Sequence, residues 1–193
     1  DIFNYLENDP SSHTNVRKKL VNSMKRDSTF RDEFIDKMVS LGFDSKDITF
    51  YEHHTSHAST AFECSPFDEA LVITLDGRGD LKSGSVSHAT RKSGLKLLAS
   101  NNMLDSVGVF YGFITNFLGF KPNRHEGKVT GLAAYGDPKK ALHIMKKMIS
   151  YRDGRIFGNH GKNFTAWNTG TIPEIEQELK NYSKEDISAA AQY

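Results

Sequence analysis

The stretch that most constrains how this chain folds is Glu69-Ala70-Leu71-Val72-Ile73-Thr74-Leu75, which runs straight into Asp76-Gly77-Arg78-Gly79-Asp80. A nearly unbroken apolar run of this length reads as a β-strand buried on both faces, because a strand with one wet face alternates apolar and polar residues. The glycines that follow permit positive φ, so D-G-R-G-D reads as a turn. Two more strands are expected near residues 83–89 and 95–99, completing a hairpin and meander.

Just upstream lies Glu52-His53-His54-Thr55-Ser56-His57-Ala58. Residues 48–51 read as a short strand that delivers the histidines to a small-residue helix over about 54–63. His53 and His57 are four apart, so on a helix their rings share a face one turn apart. Asp76 at the strand end brings a carboxylate to the same place. Two imidazoles and one carboxylate suit zinc or a divalent iron that keeps open positions. The plainer readings are two partly buried helix histidines and a purely structural hairpin. The zinc-peptidase pattern is absent, since it needs Glu beside the first histidine. There is no glycine-flanked nucleophile elbow and no P-loop. A turn of this kind can instead bring its amides to phosphate oxygens while the aspartate holds a metal.

The remaining pattern is mostly helical. Ser11-Ser12 cap a helix with Val16, Leu20, Val21 and Met24 on its apolar face and Arg17, Lys18, Lys19 and Lys25 opposite. A second helix is expected from about Ser28, with Phe30, Phe34, Met38 and Leu41 at helical spacing and Gly42 as its stop. Ser106 opens an amphipathic helix to about Leu118. Residues 124–136 read as a helix whose Gly127 and Gly131 leave a bare face, a sign of close packing or a close ligand. Lys128, near that helix's start, is a candidate phosphate contact, a solvated lysine being the plainer reading. Asp137-Pro138 starts a helix carrying Leu142, Met145, Met148 and Ile149. A turn at Arg152-Asp153-Gly154-Arg155, a short strand at Ile156-Phe157 and a polar loop over 159–169 follow. A helix opens at Thr171-Ile172-Pro173, and Ser183-Lys184-Glu185-Asp186 caps the last one. The expected organisation is a helical segment over 1–47, a motif-bearing α/β core over 48–136 and a mostly helical segment over 137–193.

Composition narrows the function classes. With 25 basic and 24 acidic side chains, the net charge is +1. That balance gives no footprint for nucleic acid or a membrane surface. Cys64 stands alone, which precludes an internal disulfide and fits a reducing, cytoplasmic compartment. No window approaches the ~20 apolar residues of a membrane helix. A chain that opens on Asp1 and stops at Tyr193 within a helical pattern is expected to be a piece of a longer protein.

Three motifs in order, H-H-x-x-H-A from His53, L-D-G-x-G-D from Leu75 and E-G-K-V-x-G-L-A-x-Y-G from Glu126, resemble the NodU/CmcH family of O-carbamoyltransferases. The resemblance implies an α/β fold, part of a two-lobed actin-like ATPase (ribonuclease H-like) architecture with mixed sheets and flanking helices. It implies a divalent metal on His53, His57 and Asp76, iron first, with zinc or magnesium as alternatives, and a further aspartate ligand beyond Tyr193. It implies ATP or carbamoyl adenylate beside Gly77, Gly79, Asp80 and Lys128. The partners implied are carbamoyl phosphate, ATP and a hydroxyl-bearing sugar or natural product, with a second copy of the chain as a candidate and neither nucleic acid nor membrane. His54 is the candidate base for the acceptor hydroxyl, a structural role standing beside that reading. The alternative is a non-catalytic nucleotide-binding module of the actin-like ATPase and sugar-kinase class, because a fold does not fix a function.

Overall fold

A computed structural model describes residues 13–158 and 173–193. The expected Ser11-Ser12 cap and the loop over 159–169 lie outside the described residues, as do the side chains of the expected Val16, Leu20, Val21 and Met24 face. The chain forms two units, 1–52 and 53–193.

In the first unit a single helix, α1 (His13–Ser40), replaces the two that were expected. No glycine or proline interrupts it near Ser28. Thr29, a residue that can begin a helix, instead returns its hydroxyl to the Lys25 carbonyl at 2.9 Å, a bond made inside a continuous helix. Gly42 does stop it: with φ +95°, it lets Gly42 N–H donate to Val39 O and Phe43 N–H to Met38 O, a Schellman end. A 3-10 turn at Ser45–Asp47 follows, capped by Asp44. Residues 48–51 are not a strand, which corrects the sequence reading. Ile48 is extended, but among the described residues no neighbouring strand pairs with it. Phe50 packs instead edge-on against Phe34, with the ring centroids 5.8 Å apart, and the Arg31 guanidinium lies 5.2 Å from its centroid.

The second unit opens with α2 (His53–Glu63) and a three-stranded antiparallel meander, β1 (Glu69–Gly79), β2 (Lys82–Thr90) and β3 (Gly94–Asn102). The α/β class is therefore observed, and among the described residues all strand pairs are antiparallel. The expected turn over Asp76–Asp80 is corrected: β1 runs on through Gly79 with an irregularity after Leu75, and neither Gly77 nor Gly79 has positive φ. The chain turns instead at a two-residue loop, Asp80-Leu81, with φ of +51° and +76°, as a hairpin of that length requires. Helix α2 lies across one face of the meander, Ala58 and Phe62 against Val72 and Ala89. The expectation that β1 is buried on both faces is corrected. Leu71, Ile73 and Leu75 point away from α2 and are 58–60% exposed. The cause is that α2 packs on the face carrying Val72, while Leu71, Ile73 and Leu75 alternate onto the other face, which is open among the described residues.

The rest of the unit is a helical core. Helix α3 (Val107–Phe117) is followed by α4 (Glu126–Ala133), α5 (Pro138–Met148), the hairpin β4 (Ile149–Arg152) to β5 (Arg155–Gly158), α6 (Pro173–Leu179) and α7 (Lys184–Gln192). Phe110, Ile114, Val129, Ile144, Leu179 and Ile187 meet in its centre. Each such side chain contributes about 1.5–3 kcal/mol by leaving water. Asp137 caps α5 as expected, accepting Lys139 N–H at 3.0 Å with Pro138 at the first position. A Cβ on Gly136 would run into the Glu185 backbone, so this glycine lets the α4–α5 turn close on α7. The β4 strand was not expected. Ile149 leaves the helix pattern because Asp153-Gly154, both at positive φ, fold the chain back on itself.

Candidate metal centre

The site is built where the start of α2 meets the end of β1. His53 and His57 sit one turn apart, and their Nε2 atoms are 3.0 Å from each other. Asp76 Oδ2 lies 2.6 Å from His53 Nε2 and 3.5 Å from His57 Nε2. One histidine helix and one strand end thus bring three ligand-type atoms to a single point. A single imidazole proton on His53 cannot serve both Asp76 and His57, whereas a cation at that point would satisfy all three lone pairs. The group is part-exposed, with 37% of the His53 side chain, 56% of His57 and 38% of Asp76 open to solvent. Two imidazole nitrogens and one carboxylate oxygen, open on one side, fit a divalent metal that keeps coordination positions for substrate.

The hydrogen bond from His53 holds the Asp76 carboxyl below its ordinary range. Partial burial opposes that shift. The Gly77 N–H, donating to Asp76 Oδ1 at 2.5 Å, and the charges of His53 and His57 reinforce it. An ionised Asp76 is the form a metal takes.

The backbone around Asp76 is fixed by α3. Ser106, the N-cap of that helix, accepts Val109 N–H and donates its hydroxyl to Asp76 O at 3.0 Å. Gly108 allows the close approach, since a Cβ there would lie 2.7 Å from Gly77 N. Ser106 is the expected start of that helix, but neither it nor Gly108 was expected at the site. Their signal, a serine cap followed by a glycine in the first turn, was visible without its target.

The other expected site residues separate into groups. Gly77 faces open space. Gly79 does not, because a Cβ there would run into the His53 ring. Asp80 turns toward α2, its Oδ2 accepting the His53 N–H at 2.8 Å. Lys128 sits on α4 with its ammonium 5.6 Å from the Phe120 ring centroid, and it shares no hydrogen bond with His53, His57 or Asp76. His54 points the other way from its two neighbours, into the sheet, and has no exposed surface. Its Nδ1 is 2.9 Å from Thr74 Oγ1, which in turn lies 2.8 Å from Ser85 Oγ and accepts Ser85 N–H at 3.0 Å. Its Nε2 is buried without a partner. Thr74 and Ser85 were missed, although the one polar residue inside an apolar strand was a signal that something polar lies above it.

A family model described as carbamoyltransferase N-terminus matches residues 4–193. The chain is 41% identical over 110 residues, 57% of its length, to the nodulation protein NolNO of Sinorhizobium fredii. It is 40% identical over 110 residues, 56% of its length, to the nodulation protein NolO of Bradyrhizobium diazoefficiens. It is 47% identical over 91 residues, 47% of its length, to the uncharacterized protein MJ1051 of Methanocaldococcus jannaschii. The matches cover 16%, 19% and 17% of those proteins, so the chain spans a small part of each relative's length. Among the described residues no helix is long and apolar enough to cross a membrane.

Proposed function

The chain belongs to the carbamoyltransferase N-terminus family, and from that premise we propose that the full-length protein transfers a carbamoyl group to a hydroxyl of a small-molecule acceptor. The observation that carries the reading is the convergence of His53, His57 and Asp76 within 4.8 Å at the end of β1. The carbamoyl donor we infer is carbamoyl adenylate, made from carbamoyl phosphate and ATP by other parts of the full-length protein. In the transfer, the acceptor oxygen attacks the carbamoyl carbon and forms a new C–O bond. The bond from that carbon to the phosphate oxygen breaks, AMP leaves, and the acceptor proton passes to a base or to water.

A divalent metal, iron first with zinc or magnesium as alternatives, would supply positive charge to neutralise the phosphate and polarise the donor. The chain's own residues do the rest. His53 and His57 would offer ring-nitrogen lone pairs, and Asp76 a carboxyl that the His53 hydrogen bond holds below its ordinary range. The open side of Gly77 leaves a path for a phosphate to reach the turn. Lys128, exposed in the first turn of α4, is the cation assigned to the nucleotide. His54, which offers no surface to an acceptor, is assigned to anchoring α2 on the sheet through Thr74.

The test uses the full-length protein with carbamoyl phosphate, ATP, iron(II) and a panel of hydroxyl acceptors, wild type beside His57→Ala. Carbamoyl-dependent pyrophosphate release and a carbamoylated product are expected from the wild type, with metal content and product both lost in the variant. Equal metal content in the two proteins would remove His57 from the site. A wild type that releases no pyrophosphate would overturn the reading.

A further inference from the structure

We propose that Gly79 and Asp80 are positioning residues for His53, so that the second half of the D-G-R-G-D segment seats a metal ligand rather than a phosphate. The inference rests on the metal reading given above and assigns this half of the segment its task.

Three observations on adjacent residues lead there. First, the place a side chain would take on Gly79 is filled by the His53 ring. A Cβ would run into ring atoms Cδ2, Cγ and Nδ1. The backbone of Gly79 does not adopt the left-handed conformation that would call for glycine. Glycine is required here for space alone, and the space belongs to His53. Second, the next residue holds the same histidine by its main chain. The Asp80 carboxylate accepts the His53 N–H at 2.8 Å, satisfying a donor that the first turn of α2 leaves without an intrahelical partner. Third, Asp80 reaches this position because its φ is +51°, a conformation that aspartate tolerates better than most residues.

The ring and the N–H of one ligand are therefore held by two consecutive residues 26 and 27 positions further along the chain. A neighbour that fixes a ligand's orientation in this way tunes metal affinity without touching the metal. Gly77 differs from Gly79, since nothing lies within 4 Å of where its Cβ would be. The strand end at Gly77 remains available to an anion, and Gly79 and Asp80 are committed to His53.

The experiment is a double-mutant cycle in the full-length protein, read by thermal unfolding without added metal. Gly79→Ala is expected to lower Tm in the wild-type background and to leave it unchanged in a His53→Ala background, where the obstructing ring is gone. An equal loss in both backgrounds would overturn the proposal. Cobalt(II) titration followed by absorption gives a second reading. Gly79→Ala and Asp80→Ala are expected to weaken cobalt affinity by about tenfold to a hundredfold. Asp80→Asn, which keeps an acceptor oxygen for the His53 N–H, is expected to restore most of it. ATP affinity of Gly79→Ala should match the wild type, and a selective loss of ATP binding with cobalt affinity intact would return Gly79 to the phosphate and overturn the proposal. If the wild type binds no cobalt, the metal reading fails, and the Tm cycle still decides whether Gly79 makes room for His53.

Discussion

The His54 Nδ1 lies 2.9 Å from Thr74 Oγ1, beneath a ring with no exposed surface, so the middle histidine of the cluster is bolted to the strand that carries Asp76. The bolt fixes the start of α2, and with it His53 and His57, relative to the end of β1. Thr74→Val keeps the shape and removes the hydroxyl. It leaves His54 with neither nitrogen paired, a penalty of about 1–3 kcal/mol for a buried polar group. Denaturant unfolding should show that loss, and cobalt(II) affinity should fall with it. Thr74→Ser keeps the oxygen and should stay closer to wild type. A Thr74→Val protein as stable as the wild type would mean that the hydroxyl is dispensable to His54.

Arg91 closes the far end of the same helix. Its guanidinium lies 4.6 Å from the Phe62 ring centroid, pairs with Glu63 at 2.7 Å, and donates to the carbonyls of Phe62, Ser65 and Phe67. One of them, Phe62 O, belongs to the last turn of α2, where it also accepts the Ser65 N–H and hydroxyl. Arg91→Ala should lower stability by about 1–2 kcal/mol, from the lost hydrogen bonds and the stacked cation. Arg91→Lys should recover less than half of it, because an ammonium cannot fork across several acceptors. Full recovery by lysine in denaturant unfolding would show that charge alone is what matters there.

Particular residues show how much of this was legible. The strand from Glu69 and the one-turn spacing of His53 and His57 are local patterns legible in the sequence, whereas the turn comes later than the glycines suggest, at Asp80-Leu81. The α/β class followed from the family resemblance that the three ordered motifs carry. What the sequence hid was the partner of each pattern. A missing side chain at Gly79 announces that something fills the gap, but not that it is a ring 26 residues earlier. The apolar run in β1 announces two buried faces, yet Leu71, Ile73 and Leu75 are open because, among the described residues, α2 covers the other face of the sheet only. Thr74 was the exception that gave notice. One hydroxyl in an otherwise apolar run needed a buried partner, and His54 supplied it.

The hairpin between β1 and β2 carries strain that a substitution can relieve. Leu81 stands at φ +76°, where an L side chain meets its own backbone. The left-handed conformation costs a non-glycine residue about 1–2 kcal/mol, and the extra freedom of glycine in the unfolded chain takes back about 0.5–1 kcal/mol. Leu81→Gly should therefore raise stability by a net of about 0.5 kcal/mol. Leu81→Val, branched at Cβ, should lower it. The backbone bond from Met103 N–H to Leu81 O at 2.9 Å is preserved in both variants. A rise in Tm with valine would show that the turn is not strained at this position.

Asp186 sets an acid limit on the helical core. Its Oδ1 accepts the Asp137 N–H at 2.8 Å, its Oδ2 takes the Lys140 ammonium at 2.9 Å, and the Ser183 cap adds to the same effect. Led by the Asp137 N–H, these contacts lower its pKa from the ordinary 3.8 to about 2, against a smaller opposing effect of burial. The sign follows from linkage. A carboxyl whose folded pKa is depressed binds its proton more readily in the unfolded chain. Its contribution is complete above the unfolded value near 3.8 and is lost as pH falls toward about 2. Thermal unfolding between pH 5 and pH 2 should therefore steepen over that window for the wild type. Asp186→Asn keeps an oxygen for the Asp137 N–H but has no proton to bind. It should start less stable near neutrality and lose less on acidification, so that the two curves approach each other at low pH. Parallel curves through the whole window would show that the Asp186 contacts do not contribute to the acid sensitivity of the fold.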